Sequence, residues 1–487
     1  MKWRCVSCEV SVTSDRSLRL ILPPLLAGLA LLVFVGVVTA APAQPPDVVY
    51  NPLVADVIAQ VTTPTLKYEL EGLTGERPVT VGGVSYTIES RNILEGDAAE
   101  MATRYAYEWL SETGLNVSYH AYTWGDYEGR NVVAEKRGLV DPDAIYLITA
   151  HLDDMPPGPR APGADDNGSG SVAVMLAARL LAPRDLAYTV RFVLFTGEEY
   201  GLLGSDVYAA DCTAQGDNIR GVINLDMIGY NTGSPVYEVF SRSGDGTGAA
   251  ESRQLATLFA DVASVYDLDL VPHEIVIDDY PLVGGSDQWS FLARSYPAIL
   301  VSEGFESGDF NPHYHTVSDT LSVMDLDYYA DLTRASIAAL AHASYILPSD
   351  GVGRLSGMVY DSHTEQPVPR ATVIAFWSTY HYTFTAKTDR EGVYTLSIPA
   401  GEYTLTVHAA SLAYTPTVIT DVVVPPGASV AQDVALGTGE EPAPELVGEL
   451  GNPARVLTLL IYVWQAILSS LVSVGKPPKL SRGRCFG

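Results

Sequence analysis

Four short groups of residues have side chains suited to holding a metal ion: His151 with Asp153 and, beyond them, Asp165-Asp166; Glu198-Glu199; Asp226; and His313-Tyr314-His315. Zinc takes imidazole nitrogen and carboxylate oxygen, and a catalytic zinc site keeps one position open for water. The groups share a context, because an apolar run leads into each of them. Ala144–Ala150 precedes His151, Tyr188–Phe195 precedes Thr196-Gly197-Glu198-Glu199, Gly221–Leu225 precedes Asp226, and Pro297–Val301 leads on to Phe310-Asn311-Pro312 and the histidines. One such run would be uninformative; four with the same kind of sequel are specific.

The elements that must position these groups follow from the runs themselves. Helical patterns lie between them at Ser171–Leu181, Leu203–Ala210 and Gln254–Val265, and another closes the region at Asp325–Ile346. Strands alternating with helices predict an α/β fold, with a mostly parallel central sheet flanked by helices. Strands of such a sheet are buried on both faces and read as continuous apolar runs. Its ligands collect at the carboxyl ends of the strands. The four groups are therefore expected to meet at one sheet edge as a catalytic metal site. Residues 47–138 carry a helical pattern at Ala98–Leu110 and a strand-like piece at Asn131–Glu135, with nothing that is chemical by itself.

Five segments in order, HLD at 151–153, APGADDNGSG at 161–170, TGEEYGLLGS at 196–205, NLDMIGY at 224–230 and YHTVSDT at 314–320, resemble the co-catalytic di-zinc aminopeptidases. That superfamily includes bacterial leucyl aminopeptidase, glutamate carboxypeptidase and glutaminyl cyclase. The resemblance implies a zinc-peptidase-type domain over residues 47–348 that binds two Zn2+ per chain. It places His151, Asp166 and Asp226 on one zinc, with Asp166 bridging to a second zinc held also by Glu199 and His315. It makes Glu198 the general base, Asp153 the carboxylate that orients His151, and Tyr314 a hydroxyl that stabilises the oxyanion. The residues alone leave Asp165 and Asp166 as alternatives for the bridge. They also leave His313 and His315 open, since residues two apart on an extended segment face one way; the family register chooses Asp166 and His315.

The chemistry agrees with those roles. Two metals about 3.5–4 Å apart that share a carboxylate polarise a scissile carbonyl and acidify a bridging water. Glu198 can then take the water's proton and pass it to the leaving amine. The expected reaction is hydrolysis of the N-terminal bond of peptides with free N-termini. Glutaminyl cyclisation, carboxypeptidase action and a non-catalytic surface binding protein are the competing readings. One departure from the family pattern is Gln288, where members often have His after the Ser-Asp pair matched by Ser286-Asp287; it bears on pocket shape, while Tyr280 and Gly284-Gly285 beside it fit a pocket role and core or turn roles equally. Asn167-Gly-Ser fits a glycosylation sequon, but a glycan there would obstruct the metal site.

The 487 residues hold 29 Lys and Arg against 58 Asp and Glu, a net charge of −29. Nine of the bases but only Glu9 and Asp15 among the acids lie in 1–43 and 455–487, which leaves 20 basic against 56 acidic residues between them. Such a field excludes nucleic acid as a partner and favours solubility. The four cysteines, with Cys5 and Cys8 in a lone CxxC, support neither a disulfide framework nor a zinc ribbon. Basic residues, the apolar run Leu20 to Val38 and small residues to Ala43 follow the order of a signal peptide or N-terminal anchor. Residues 455–475, with Lys476, Lys479, Arg482 and Arg484 beyond them, are a candidate transmembrane or membrane-associated helix ahead of a basic tail at 476–487. The chain is thus expected to be exported, at the cell surface or outside, with a membrane tether at one or both ends.

After Gly351 the texture changes to seven short alternating strands with Gly, Pro and Asp turns. They predict a small antiparallel β-sandwich at 352–436, followed by a linker at 437–454. Thr388–Val407 resembles the carboxypeptidase regulatory-like, transthyretin-type sandwich, which implies an accessory or binding module without chemistry of its own. His363, His381 and His408 are read as surface or packing residues.

Overall fold

The structure, a computed structural model, describes residues 48–244, 247–277, 285–411 and 414–438. The expected signal segment, nearly all of the linker, the candidate membrane helix and the basic tail lie outside them, as do Tyr280 and Gly284. Among the described residues no helix is long and apolar enough to cross a membrane.

The runs rich in Val, Ile, Leu and Phe form the centre of an eight-stranded sheet. In chain order the strands are β1 (Asn116–Trp124), β2 (Tyr127–Lys136), β3 (Asp141–His151), β4 (Tyr188–Phe195), β5 (Asn218–Leu225), β6 (Val236–Arg242), β7 (Val271–Ile277) and β8 (Ala298–Ser302), and they lie side by side as β7-β6-β8-β5-β3-β4-β2-β1. The central four, β8-β5-β3-β4, are parallel. β2 is antiparallel to β4, and β6 to β8, so the sheet is mixed, parallel where the sequence predicted and antiparallel at its flanks. The two edge strands escaped the reading for a physical reason. β1 and β7 are largely exposed edge strands whose polar residues interrupt any apolar run.

Side chains alternate along each strand, as the pleat requires. Ile145 and Leu147 of β3 and Val193 and Phe195 of β4 pack with Tyr208, Ala209 and Cys212 of the helix Leu203–Gln215 and with Phe291 of Gln288–Leu292. Ile148, Ala150, Phe192 and Leu194 face the opposite layer, built from the helices Ala98–Ser111, Gly170–Leu181, Ala249–Val265 and Leu326–Ala343. Burying two faces leaves only the strand ends free for polar side chains.

The C-terminal strands form two sheets. Val352–Asp361 pairs antiparallel with Val393–Pro399 but parallel with Ser429–Ala431 and Val434–Leu436. Thr372–Trp377 lies between Tyr382–Lys387 and Gly401–His408, with Thr417–Val424 at the edge, all antiparallel. The last predicted strand is split in two, with Gln432 and Asp433 bonding back to Ser356 and Met358. This core does not close on itself. It takes in Ala187 and Leu347, with Val140, Tyr188 and Tyr345 packed against it. Tyr345 stacks on Tyr382 with centroids 4.0 Å apart and planes at 3°, and Tyr382 accepts a hydrogen bond from Asn51 Nδ2 at 3.0 Å. The sandwich therefore docks where β3 and β4 begin.

Candidate metal centre

Strand register brings the first groups together. Thr149 pairs with Asn224, and His151 pairs with Phe195. Two further steps along β5 bring Asp226 level with His151. The next residues past Phe195 form a turn that carries Glu198 and Glu199. Asn131 braces that turn, accepting from the Thr196 amide at 3.1 Å and donating to the Gly204 carbonyl at 2.9 Å. Asp153 holds it from the other side, since its two carboxylate oxygens accept the amides of Glu198 and Glu199, each at 3.3 Å.

Asp166 sits just ahead of the helix Gly170–Leu181, on a turn whose φ/ψ at Asp166 and Asn167 leave the helical range. Asn167 is fully buried; its Nδ2 donates to the Leu225 carbonyl at 2.8 Å and its Oδ1 accepts the Gly170 amide at 2.9 Å. No glycan fits that side chain. A Cβ at Gly170 would meet Asn167 Oδ1 at 2.4 Å and the Leu225 carbonyl at 2.6 Å, so glycine is needed for the turn to approach β5.

These elements bring His151, Asp166, Asp226, Glu199 and His315 into one cluster. His151 Nε2 lies 3.3 Å from Asp166 Oδ1 and 3.3 Å from Asp226 Oδ1. His315 Nε2 lies 3.3 Å from Asp166 Oδ2 and 2.8 Å from Glu199 Oε2. Asp166 thus turns one oxygen to each histidine. His315 has φ 57°, a strained conformation for a non-glycine residue, and so does Met227, next to Asp226. Asp165 points elsewhere, its Oδ1 accepting from the Gly229 amide at 2.8 Å and its Oδ2 from Asn311 Nδ2 at 3.1 Å. His313 stands apart too, with no contact from its ring to the cluster among the described residues. Tyr314 is 40% exposed at the rim, its ring stacked on His315 at 3.6 Å. The contact from His151 Nδ1 to Asp153 runs to the backbone carbonyl at 3.1 Å, with the carboxylate at 3.8 Å.

The donor set fits a cation. Asp166 Oδ2, Glu199 Oε1 and His315 Nε2 are buried without a hydrogen bond, a costly arrangement unless something electropositive serves them. One ligand atom each of His151, Asp166 and Glu199 lies within 4.8 Å of the others. The electrostatics agree. Burial, reinforced by Asp226 and Asp287 and only partly offset by His151, holds the Glu198 carboxyl well above its ordinary value. Burial and the charge of Asp166 push Glu199 up to about 8. Burial opposes charge on His151, yet Asp226 and Glu198 outweigh it and hold the imidazole well above its usual value. Burial likewise opposes charge on His315, but Asp166 and Glu199 raise it to about 10. Glu198 and Glu199 thus hold on to protons that a divalent cation would displace, whereas on Asp166 burial is overcome by the hydrogen bonds and charge of His151 and His315, which hold its carboxyl below the ordinary value.

Sequence reasoning gave three residues here no role. Asp287 is fully buried beside the cluster, neither oxygen receives a well-formed hydrogen bond, and burial pushes its carboxyl up to about 7. Asp319 accepts the amides of Asp165 and Asp166, the latter at 3.0 Å, and so sets the Asp166 turn. Arg91 lies fully buried under the loop between His151 and Asp166. Each is a single residue outside any periodic pattern; Asp287, within the Ser-Asp pair, and Asp319, within YHTVSDT, carried a signal, and Arg91 carried none. Gln288 is buried and accepts from Asn224 Nδ2 at 3.4 Å, so it belongs to the sheet beneath the centre.

Comparison with known proteins bears on both parts of the chain. Residues 131–340 match the family model described as Peptidase family M28, and residues 354–437 the one described as Carboxypeptidase regulatory-like domain. A probable leucine aminopeptidase 2 of Aspergillus oryzae is 30% identical over 260 residues, 48% of this chain and 49% of that protein. A probable zinc metalloprotease of Pyricularia oryzae is 31% identical over 246 residues, 43% of this chain and 48% of that protein. The chain thus spans about half the length of the curated relatives it matches. Among solved structures, the LapA aminopeptidase of Legionella pneumophila is similar with a TM-score of 0.51 at 21% identity, covering 63% of this chain and 79% of that one. Macrostomum lignano glutaminyl cyclase is similar with a TM-score of 0.50 at 17% identity, covering 63% of this chain and 97% of that one. At these identities the likeness to solved structures concerns the fold alone.

Proposed function

We propose, for a chain that carries a peptidase family M28 domain over residues 131–340 and a carboxypeptidase regulatory-like domain over residues 354–437, that it is a zinc-dependent aminopeptidase releasing the N-terminal residue of peptides. The observation that carries this reading is the division of Asp166 between two histidines, each with a second carboxylate beside it. The reading assigns His151, Asp166 and Asp226 to one Zn2+ and Asp166, Glu199 and His315 to another. Zinc, when bound, would polarise the scissile carbonyl and acidify water.

The other roles belong to the chain's own side chains. Glu198 accepts the proton of the attacking water and delivers it to the leaving amine. Its buried, acid-rich surroundings raise its basicity, which suits a group that must first take a proton and then give it up. Asp153 fixes the Glu198-Glu199 turn through its backbone amides. The excess of carboxylates around the cluster attracts the α-ammonium group of a peptide, which supports action at free N-termini. Tyr314, at the rim, is assigned to the oxyanion. We further propose export, a peptidase unit at 47–348 and a sandwich at 352–436.

The test is hydrolysis of aminoacyl-anilides by the purified chain, with and without zinc, beside Glu198→Gln. The variant is expected to keep its metal and lose turnover by about 10²–10⁴-fold. Unchanged turnover would remove Glu198 from the base role. A zinc content near one per chain, with cyclisation of N-terminal glutamine in place of hydrolysis, would turn the reading to the cyclase.

A further inference from the structure

We infer that Arg91, seconded by Asn92, is the positioning residue of the metal centre, a buried pair that ties the segments carrying His151, Asp166 and Glu199 to one another. The inference rests on the metal reading above and deepens it. The guanidinium makes four hydrogen bonds, all to backbone carbonyls: Nε to Leu152 at 2.6 Å, Nη1 to Leu73 at 3.1 Å and Pro162 at 2.8 Å, and Nη2 to Gly163 at 2.8 Å. Leu152 follows the ligand His151, and Gly163 lies three residues before the ligand Asp166. One planar group therefore bridges the two ends of the loop that joins these ligands. Its charge is met by Asp154 at 3.3 Å, whose oxygens also accept the Arg91 amide at 3.0 and 2.9 Å.

Asn92 extends the tie to the turn that carries Glu198 and Glu199. Its Nδ2 donates to the Asp154 carbonyl at 2.6 Å, and its Oδ1 accepts from the hydroxyl of Tyr200 at 2.9 Å, the residue after Glu198-Glu199. Arg91 touches none of the proposed ligand side chains, so it acts through the backbone that carries them. The need for it is plain in the sequence of the loop. Pro156, Pro157, Pro159 and Pro162 have no amide hydrogen, so the loop is poor in donors of its own, and buried carbonyls must find donors. Arginine supplies them from one rigid fork, whereas lysine offers a point charge on a flexible stem. The fit is close: at Gly163, with φ 45°, a Cβ would meet Arg91 Nη2 at 2.8 Å and the Asp166 carbonyl at 2.4 Å.

The test uses the full chain as wild type, Arg91→Lys, Arg91→Ala and Asn92→Leu. Zinc affinity is read by chelator competition, and site geometry by the visible spectrum of the cobalt-loaded protein. Circular dichroism of the metal-free forms reports on folding. Arg91→Lys is expected to fold, to bind zinc about 10–100-fold more weakly, as losses of outer hydrogen-bonding partners do, and to show an altered cobalt spectrum. Millimolar guanidinium should restore zinc affinity to Arg91→Ala. If that variant does not fold, Asn92→Leu carries the test, and its cobalt spectrum should shift. Wild-type zinc affinity and cobalt spectrum in folded Arg91→Lys and Asn92→Leu would overturn the inference and leave the metal reading intact. A wild-type chain that binds no zinc would overturn both.

Discussion

Asp166 is the residue on which the site turns, because its two oxygens face different histidines and no other carboxylate of the cluster is shared in that way. His315, on the loop side, is expected to be separable from His151, on the strand side. On the proposed two-zinc reading, His315→Ala should lower zinc from two to about one per chain while the remaining ion stays tightly held, measured by metal analysis after dialysis; two tightly bound ions in that variant would show that the ligand was misassigned. The chain alone disclosed acids and histidines placed after apolar runs. It could not separate Asp165 from Asp166 without a family register, since the two are chemically alike and differ only in where the backbone aims them. Asp165 is taken up by Gly229 and Asn311, and by a hydrogen bond to Glu303, an interaction between acids that no spacing rule announces.

At the scale of elements, the parallel strands were legible because burial on both faces writes itself as an unbroken apolar run. Of the β1–β2 hairpin only Asn131–Glu135 read as a strand; β1 and β7 were not legible because a strand with a wet face looks like a loop in a single sequence, and buried β6 was not because Glu238 and Ser241 break its apolar run. The helix Leu326–Ala343 was also legible, yet one of its residues carries a consequence the pattern does not announce. His342 is buried in its last turn, with Nε2 2.7 Å from the Tyr266 hydroxyl, and burial lowers its pKa from 6.5 to about 4. Between those values the unfolded chain binds a proton that the folded chain refuses, so stability rises with pH across that window and falls as the medium is acidified. The loss is nil at neutral pH and grows to roughly 3 kcal/mol as the pH falls to the folded-state value. His342→Gln, which stays neutral and can still bond Tyr266, should lose that part of the pH dependence in urea melts at pH 7 and pH 4.5. An unchanged difference between the two pH values would show that His342 does not titrate as its burial dictates.

For the whole molecule, the sandwich was legible as a separate texture, but its attachment was not, since stacking between Tyr345 and Tyr382 depends on side chains far apart in the chain. The shared core argues that the two parts stabilise each other. Tyr382→Ala removes a ring that is 2% exposed, its stack and its bond to Asn51, and is expected to cost about 3–5 kcal/mol in denaturant melts. The KM of the folded protein should not move, because the docking surface lies at the far end of the strands from the ligands. β3 spans that separation with 11 residues, roughly 35 Å at the rise of an extended chain. The molecule therefore has a handle and a mouth that face apart. On the proposed aminopeptidase reading, protein immobilised through its sandwich, on a bead or a lipid film, should trim peptide ends as fast as protein left free in solution.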